Sequence, residues 1–354
     1  MDQQKDTLAI PVDLIRVIAI VGVILLHASN DLTSQHMGFD LLRWWTLDIY
    51  QGFGRMGVPL FLMLSGALLL APSKKDEEIG VFFKKRFSRI GLPFLFWSII
   101  FFFWVFYVEN HPLTQDFIIN GILNGPYFIL WYLYMLAGLY LLTPLLRVIV
   151  ANFTAKHFKY FICLWAIGTT LGPIITWASI GQYQLDPNFF LIPVFLGYFV
   201  IGAYLVNVKV KRLTLVTLTA LGLALTAITT CLMIMYHSDT YFFHNYYSPT
   251  TILASIPFFI LLNSYGKPPN DSKINKPSWK QRLMHVISEN TLPLYLMHMI
   301  FIYLFQTGFF GFSLHGNIVN SIVGVPLMTV LTIGACLLII IPLKKIPGLK
   351  HLIG

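Results

Sequence analysis

An arginine and a histidine stand inside the first apolar stretch of this chain: Arg16 and His27, in DLIRVIAIVGVILLHASN. Their eleven-residue spacing, at about 100° per helical step, comes to about three turns, so both side chains lie on one face, roughly 16 Å apart along the axis. An ionisable group at membrane depth costs about 2.5–3.5 kcal/mol or more, and it usually faces a cavity or a partner inside a bundle. The pair therefore marks a candidate functional site. Asp13, three residues before Arg16, can pair with it on the same face. A neutral imidazole at His27 can take a proton from a hydroxyl near neutral pH, or it can simply bond a neighbouring carbonyl.

Three further polar clusters accompany this one. In FFKKRFSRIGLPF, Arg86 and Arg89 are three apart and can offer a common face to an anionic ligand. Lys84 and Lys85 read as an ordinary basic flank, a reading open to the arginines too. In GRMGVPLFLMLSGALLL, Arg55 can bind an anionic or hydroxylated acceptor or pair with an aspartate, and Ser65 and Gly66 suit close helix packing. In ISENTLPLYLMHMIF, Tyr295 and His298 can share a face beyond Glu289 and the helix-breaking Pro293. A structural hydrogen bond is the simplest use of His298, because buried polar groups need partners.

These residues need elements to hold them, and composition says which. With 56% hydrophobic and 11% charged residues in 354, and a mean hydropathy of +0.71, the chain reads as an integral membrane protein. Apolar stretches long enough to cross a ~30 Å hydrocarbon core as helices recur at 11–29, 53–71, 91–108, 128–150, 158–177, 190–206, 213–236, 249–262, 286–306 and 318–342. The expected fold is an all-α bundle of about ten transmembrane helices forming a single membrane-embedded domain over 1–354, with a cytoplasmic linker loop at 263–282. An even number of spans puts both termini on one side. If that side is the cytoplasm, 21 of the 24 Lys and Arg fall in inside segments, as the positive-inside rule requires. The net charge of +9 then reads as topology and not as nucleic-acid binding.

The first span ends in HASN without a small-x-small cleavage site and reads as an uncleaved anchor. Cys163, Cys231 and Cys336 fall inside spans, which speaks for packing and against a disulfide framework or a metal site. The aspartates and histidines between spans, Asp48 and His244 among them, match no metal signature and read as scattered surface groups. A Gly-rich phosphate loop, an HExxH helix and a GxSxG elbow are all missing from the sequence, which demotes ATP-driven transport and the commoner hydrolases. Prolines inside spans (Pro193, Pro257, Pro293, Pro326) keep a transporter or flippase of a polar or lipid-linked solute in view, but the two halves show no evident repeat.

D-x-x-R with ten residues between that arginine and H, then VPLFLMLSGALLL, R-F-S-R, LWYLYMLAGLYLLTPLLR and PLYLMHMIF, resembles the acyltransferase 3 family of multispanning membrane O-acyltransferases. The likeness covers nearly the whole chain. WYLYMLAGLYLLTPLL is similar to stand-alone bacterial O-acetyltransferases that modify surface glycans. The resemblance implies a cell-membrane, multi-pass enzyme that moves an acyl group, usually acetyl, from cytoplasmic acetyl-CoA or another acyl-CoA to a hydroxyl of a glycan, lipid-linked sugar or similar acceptor. It implies Arg16 and His27 for catalysis and Arg86 with Arg89 for the donor; read from the residues themselves, Asp13, Arg55, Tyr295 and His298 are substrate-binding or supporting candidates. The partners are then the lipid bilayer, acyl-CoA, the carbohydrate or lipid-linked acceptor and, where the protein self-associates, a second copy; nucleic acid and metal are not among them. Some relatives carry an attached extracellular domain that finishes the transfer. The short stretch after the last span sets the expectation that this bundle acts alone or hands the acyl group to a separate protein.

Overall fold

In hydrocarbon a peptide group has no water to bond, so an apolar chain satisfies its own backbone, and the helix does this within one segment. The computed structural model describes residues 10–30, 41–112, 114–177, 193–235, 242–266, 278–312 and 320–354. Its α-helices in chain order are α1 (Val12–Asn30), α2 (Leu41–Arg55), α3 (Gly57–Leu69), α4 (Ile79–Arg86), α5 (Leu92–Tyr107), α6 (Gln115–Asn124), α7 (Trp131–Ala151) and α8 (Ala155–Trp177). They continue as α9 (Val194–Leu205), α10 (Arg212–Met235), α11 (Pro249–Asn263), α12 (Trp279–Glu289), α13 (Thr291–Gln306), α14 (Ser321–Leu343) and α15 (Leu349–Ile353). Among the described residues there is no strand.

Each of the ten stretches expected to span is helical through most of its described residues. Among the described residues, six helical segments are long and apolar enough to cross a membrane alone, namely Val12–Asn30, Leu42–Leu69, Ile79–Tyr107, Gln115–Ala151, Arg212–Met233 and Ser321–Leu343. Val194–Leu205, Pro249–Asn263 and Thr291–Gln306 are apolar but shorter. The stretch expected at 286–306 divides at Asn290, where amphipathic α12 gives way to α13. The far end of the 263–282 stretch is helix and not loop: Ser278 and Gln281 close a capping box that starts α12, the reciprocal arrangement that satisfies two orphan N–H groups. Residues 267–277 of that stretch lie outside the described residues. Of the cysteines, only Cys336 is buried, and all three are free thiols.

Helix α1 is the hub, packed against α2, α3, α12, α13 and α14. Ile15, Ala19, Ile20, Val23 and Ile24 are at most 3% exposed. Two glycines let the α2–α3 junction reach it: a Cβ on Gly54 would lie 2.7 Å from the Gly22 carbonyl oxygen, and one on Gly57 would lie 2.7 Å from that of Ala19. A second close crossing joins α3 to α9, where a Cβ on Gly66 would overlap the Phe199 carbonyl and one on Gly202 would overlap that of Met63. Small residues at such crossings replace the hydrophobic driving force that lipid cannot supply.

Asp13, at the start of α1, directs both oxygens at α12. Oδ1 accepts from Ser288 Oγ at 2.6 Å and Oδ2 lies 3.0 Å from His285 Nδ1, while Arg16 meets this carboxylate only through its field. The expected Asp13–Arg16 pair is therefore replaced by a bridge between α1 and α12. His285, which also lies 3.3 Å from Glu289, has its pKa raised from 6.5, first by the Asp13 hydrogen bond and then by the Glu289 and Asp13 charges.

Two expectations test this packing. Because the obstacle to a side chain on Gly66 is backbone and cannot swing aside, Gly66→Ala should destabilise the protein by about 1–3 kcal/mol, read as a fall in thermal midpoint in detergent; an unchanged midpoint would mean that α3 and α9 do not cross here. A histidine whose folded pKa exceeds its unfolded value stabilises fully below the unfolded value, and its contribution fades as pH rises through the folded one. Hydrogen exchange in 279–289, corrected for intrinsic rate, should therefore quicken as pH rises from about 6 to about 8. His285→Gln should flatten that dependence, and equal slopes in both proteins would dismiss the bridge.

Candidate active site

At one end of α1, His27 is half-buried, although the residues before and after it on the helix are closed in the core. Its ring lies 5.2 Å from that of His298 and 5.6 Å, edge-on, from that of Phe128. His298, fully buried on α13, places Nδ1 2.5 Å from the Tyr295 carbonyl oxygen. A carbonyl can only accept, so Nδ1 carries the hydrogen and Nε2 of the neutral ring keeps a lone pair. That Nε2 has no partner. The structural bond expected of His298 thus occupies one nitrogen and leaves the other available beside His27. Tyr295 donates its hydroxyl to the Ile129 carbonyl, which anchors α13 to the turn that carries Phe128.

Arg55 supplies the positive charge at this end. The close approach of Gly54 and Gly57 to α1 sets the arginine between them within the field of His27. Its guanidinium lies 5.5 Å from the Tyr246 ring centroid and its charge acts on the Tyr246 hydroxyl, while among the described residues its buried Nε has no partner. Among the described residues no carboxylate lies within ion-pair distance of Arg55. A desolvated guanidinium with a free N–H is a ready donor to an oxygen anion.

The other end of α1 is basic. Arg16 has Arg89, Asp13 and Tyr140 as its charged or polar neighbours. Tyr140, buried on α7, lies in the fields of Arg86, Arg89 and Arg16. The three arginines therefore converge on one phenol. A π-helical turn at Phe87–Gly91 interrupts the α4–α5 helix. Its wider winding changes the faces that residues three apart present. Arg86 is half-buried with an unpartnered Nε, 5.6 Å from the Phe82 ring and 5.9 Å from that of Tyr140, whereas Arg89 is exposed.

A buried brace sets α4. Arg147, 3% exposed, meets Glu77 at 2.9 Å and Lys85 meets it at 2.8 Å, while Arg147 Nε donates to the Leu69 carbonyl at 2.8 Å. The Lys85 and Arg147 hydrogen bonds and charges outweigh partial desolvation and hold the Glu77 carboxyl down at about 2. Arg147 also lies 4.6 Å from the Phe82 ring that Arg86 faces. Between the two ends, tyrosines follow one another. Tyr132 interacts with Tyr140 and Tyr246, its ring lies 5.3 Å from that of Tyr295, and Tyr295 in turn interacts with Tyr246.

The structure thus gathers seven of the eight sequence candidates along α1: His27, His298, Tyr295 and Arg55 at one end, Arg16, Arg86 and Arg89 at the other. Asp13 belongs to the α12 bridge. Sequence reading missed Tyr246, Tyr140, Tyr132 and the Glu77–Arg147 brace, and it took Asp48 and His244 for surface groups. Both are buried and paired at 2.6 Å. Nothing in the local sequence marks these tyrosines among the 17 in the chain.

Known proteins resemble this chain in sequence. The succinoglycan biosynthesis protein ExoH of Rhizobium meliloti (strain 1021) is 27% identical over 117 residues, an alignment that spans 32% of this chain and 32% of that protein. No solved structure matches. The profile of the acyltransferase 3 family, an acyltransferase domain, matches residues 11–341, from the foot of α1 to the last turns of α14. With its polar face intact on α1 and nearly every described helix inside that match, the chain belongs to the acyltransferase 3 family.

Proposed function

We propose that this protein is a membrane O-acyltransferase of about ten spans with cytoplasmic termini, moving an acyl group, best acetyl, from cytoplasmic acyl-CoA to a hydroxyl of a cell-surface glycan or lipid-linked sugar. The observation that carries the reading is the division of α1 into a basic end and an imidazole end. Arg16, Arg86 and Arg89 are the cations for coenzyme A phosphates, with the tyrosines lining the way between the ends. Pantetheine has about twelve chain bonds, as many as four extended residues, so it reaches roughly 14 Å. That matches the roughly 16 Å rise from Arg16 to His27. The thioester then meets His27 while the phosphates stay in water. ExoH, named for succinoglycan biosynthesis, supports a glycan acceptor.

In this scheme the acceptor hydroxyl oxygen bonds to the thioester carbonyl carbon as His27 takes its proton. The tetrahedral oxyanion is stabilised by Arg55, the cation nearest His27. The C–S bond then breaks, the proton on His27 passes to the departing thiolate, and the products are the ester and free coenzyme A. His298, held by Tyr295, orients the imidazole. Arg16 is too far along α1 to touch the oxyanion, which assigns it to donor binding and revises the catalytic role the family resemblance implies.

Purified protein in detergent should release free thiol from acetyl-CoA only when a hydroxylated glycan acceptor is supplied, with no gradient present. Movement of solute across sealed vesicles without any such release would instead make it a transporter. His27→Ala should lower kcat by about 10²–10⁴ in a protein that stays folded, and wild-type turnover would remove His27 from the chemical step. Arg86→Gln with Arg89→Gln should raise the KM for acetyl-CoA more than that for the acceptor. Charge-assisted contacts weaken by about 1.5–3 kcal/mol, less at exposed Arg89. Arg16→Lys should share this KM pattern, since ammonium cannot copy the guanidinium fork. If Arg16→Lys lowers kcat at unchanged KM, Arg16 acts on the transition state after all.

A further inference from the structure

Asp48 and His244 form a buried pair that the proposed chemistry does not use. Oδ1 of Asp48, on α2, lies 2.6 Å from His244 Nε2, and the two side chains are 5% and 2% exposed. Asp48 Oδ2, His244 Nδ1 and the Nε2 of neighbouring Gln51 are buried without partners. Such a pair is an expensive way to hold two segments together, since apolar residues of similar volume would pack there without desolvating a charge. Its retention points to geometry and not to stability.

What it holds is the segment before α11. Two residues past His244, Tyr246 lies against Trp131 and Phe195, at 5.8 and 5.7 Å between ring centroids, and its carbonyl accepts from Tyr198 at 2.8 Å. Its ring and hydroxyl hold Arg55. Arg55 in turn stands seven residues after Asp48 on α2, about two turns along and therefore on nearly the same face. The loop that Asp48 fixes through His244 returns to the same helix at Arg55 through Tyr246. The segment is further tied to the start of α11, where Thr250 and Thr251 hydroxyls donate to the Phe243 carbonyl at 3.4 and 3.3 Å. Among the described residues the buried Nε of Arg55 has no partner.

We propose that Asp48 and His244 are positioning residues, a clamp that fixes Tyr246 so that Arg55 is aimed at the acceptor end of the site. The clamp rests on the acyltransferase reading for its kinetic consequence but not for its structural one. Asp48→Asn should lower kcat by about three- to tenfold, because Arg55 then meets the oxyanion less well, while the acyl-CoA KM stays within about twofold. Tyr246→Phe, which removes only the hydroxyl on which the Arg55 charge acts, should do the same. In an Arg55→Gln background, Asp48→Asn should add less than about twofold, because the clamp acts through that arginine. Hydrogen exchange should quicken in 242–248 and stay unchanged in α13. If kcat holds, if the acyl-CoA KM changes as much as kcat, or if the effect adds in full to Arg55→Gln, the pair is merely structural and the proposal falls. Should Asp48→Asn fail to fold, Tyr246→Phe and His244→Asn carry the same kinetic expectations. If the wild-type protein transfers no acyl group at all, the acyltransferase reading fails, and exchange decides the clamp alone: unchanged protection of 242–248 in Asp48→Asn overturns it.

Discussion

A guanidinium and an imidazole on one face of one apolar helix set the problem that the other helices solve. A membrane helix that carries Arg16 and His27 cannot turn that face to lipid without heavy cost, so α1 must sit at the centre of a bundle with its polar face covered. The covering is specific at each end. Toward the α12 end, Arg16 lies in the fields of Arg89 and Tyr140, and Arg86 acts on the same phenol; toward the other, His27 meets His298 and lies in the field of Arg55. Three cations converging on a phenol repel one another. In the proposed scheme the coenzyme A phosphates would offset that repulsion.

Close approach is what makes the arrangement possible. Gly54 and Gly57 flank Arg55 and bring the α2–α3 junction against α1, so the residues that pack the helices also deliver the charge. The same helix pair shows why glycine serves here: any Cβ would push Arg55 away from His27 along with its backbone. The α3–α9 crossing at Gly66 and Gly202 then fixes α3 from its other side. Packing and chemistry share positions in this bundle, and substitutions at these glycines act on both.

The helices were legible in the sequence because hydrocarbon imposes one length and one composition on every span. The face shared by Arg16 and His27 was legible because helical periodicity is local. What stayed hidden depends on partners far apart in the chain. Asp13 reads as a partner for Arg16 three residues on, yet its oxygens go to His285 and Ser288, 272 and 275 residues away. Asp48 and His244 read as polar residues between spans because nothing within a few residues shows that they meet across 196. The π turn at Phe87–Gly91 has no residue signature that separates it from ordinary helix. Tyr140 and Tyr246 look like any aromatic in a membrane protein until the arginines that converge on them are placed.

The two ends also explain why arginine and not lysine occupies them. Arg86 lies beside the Phe82 and Tyr140 rings, and Arg55 lies beside that of Tyr246. A planar, weakly hydrated guanidinium can lie against an aromatic ring and still direct N–H groups sideways, whereas a compact ammonium keeps its water and offers no such fork. Each arginine is thereby held by an aromatic neighbour without a carboxylate that would neutralise it. The charge stays available to a ligand, and that is what distinguishes these two from Arg147, whose charge is already answered by Glu77.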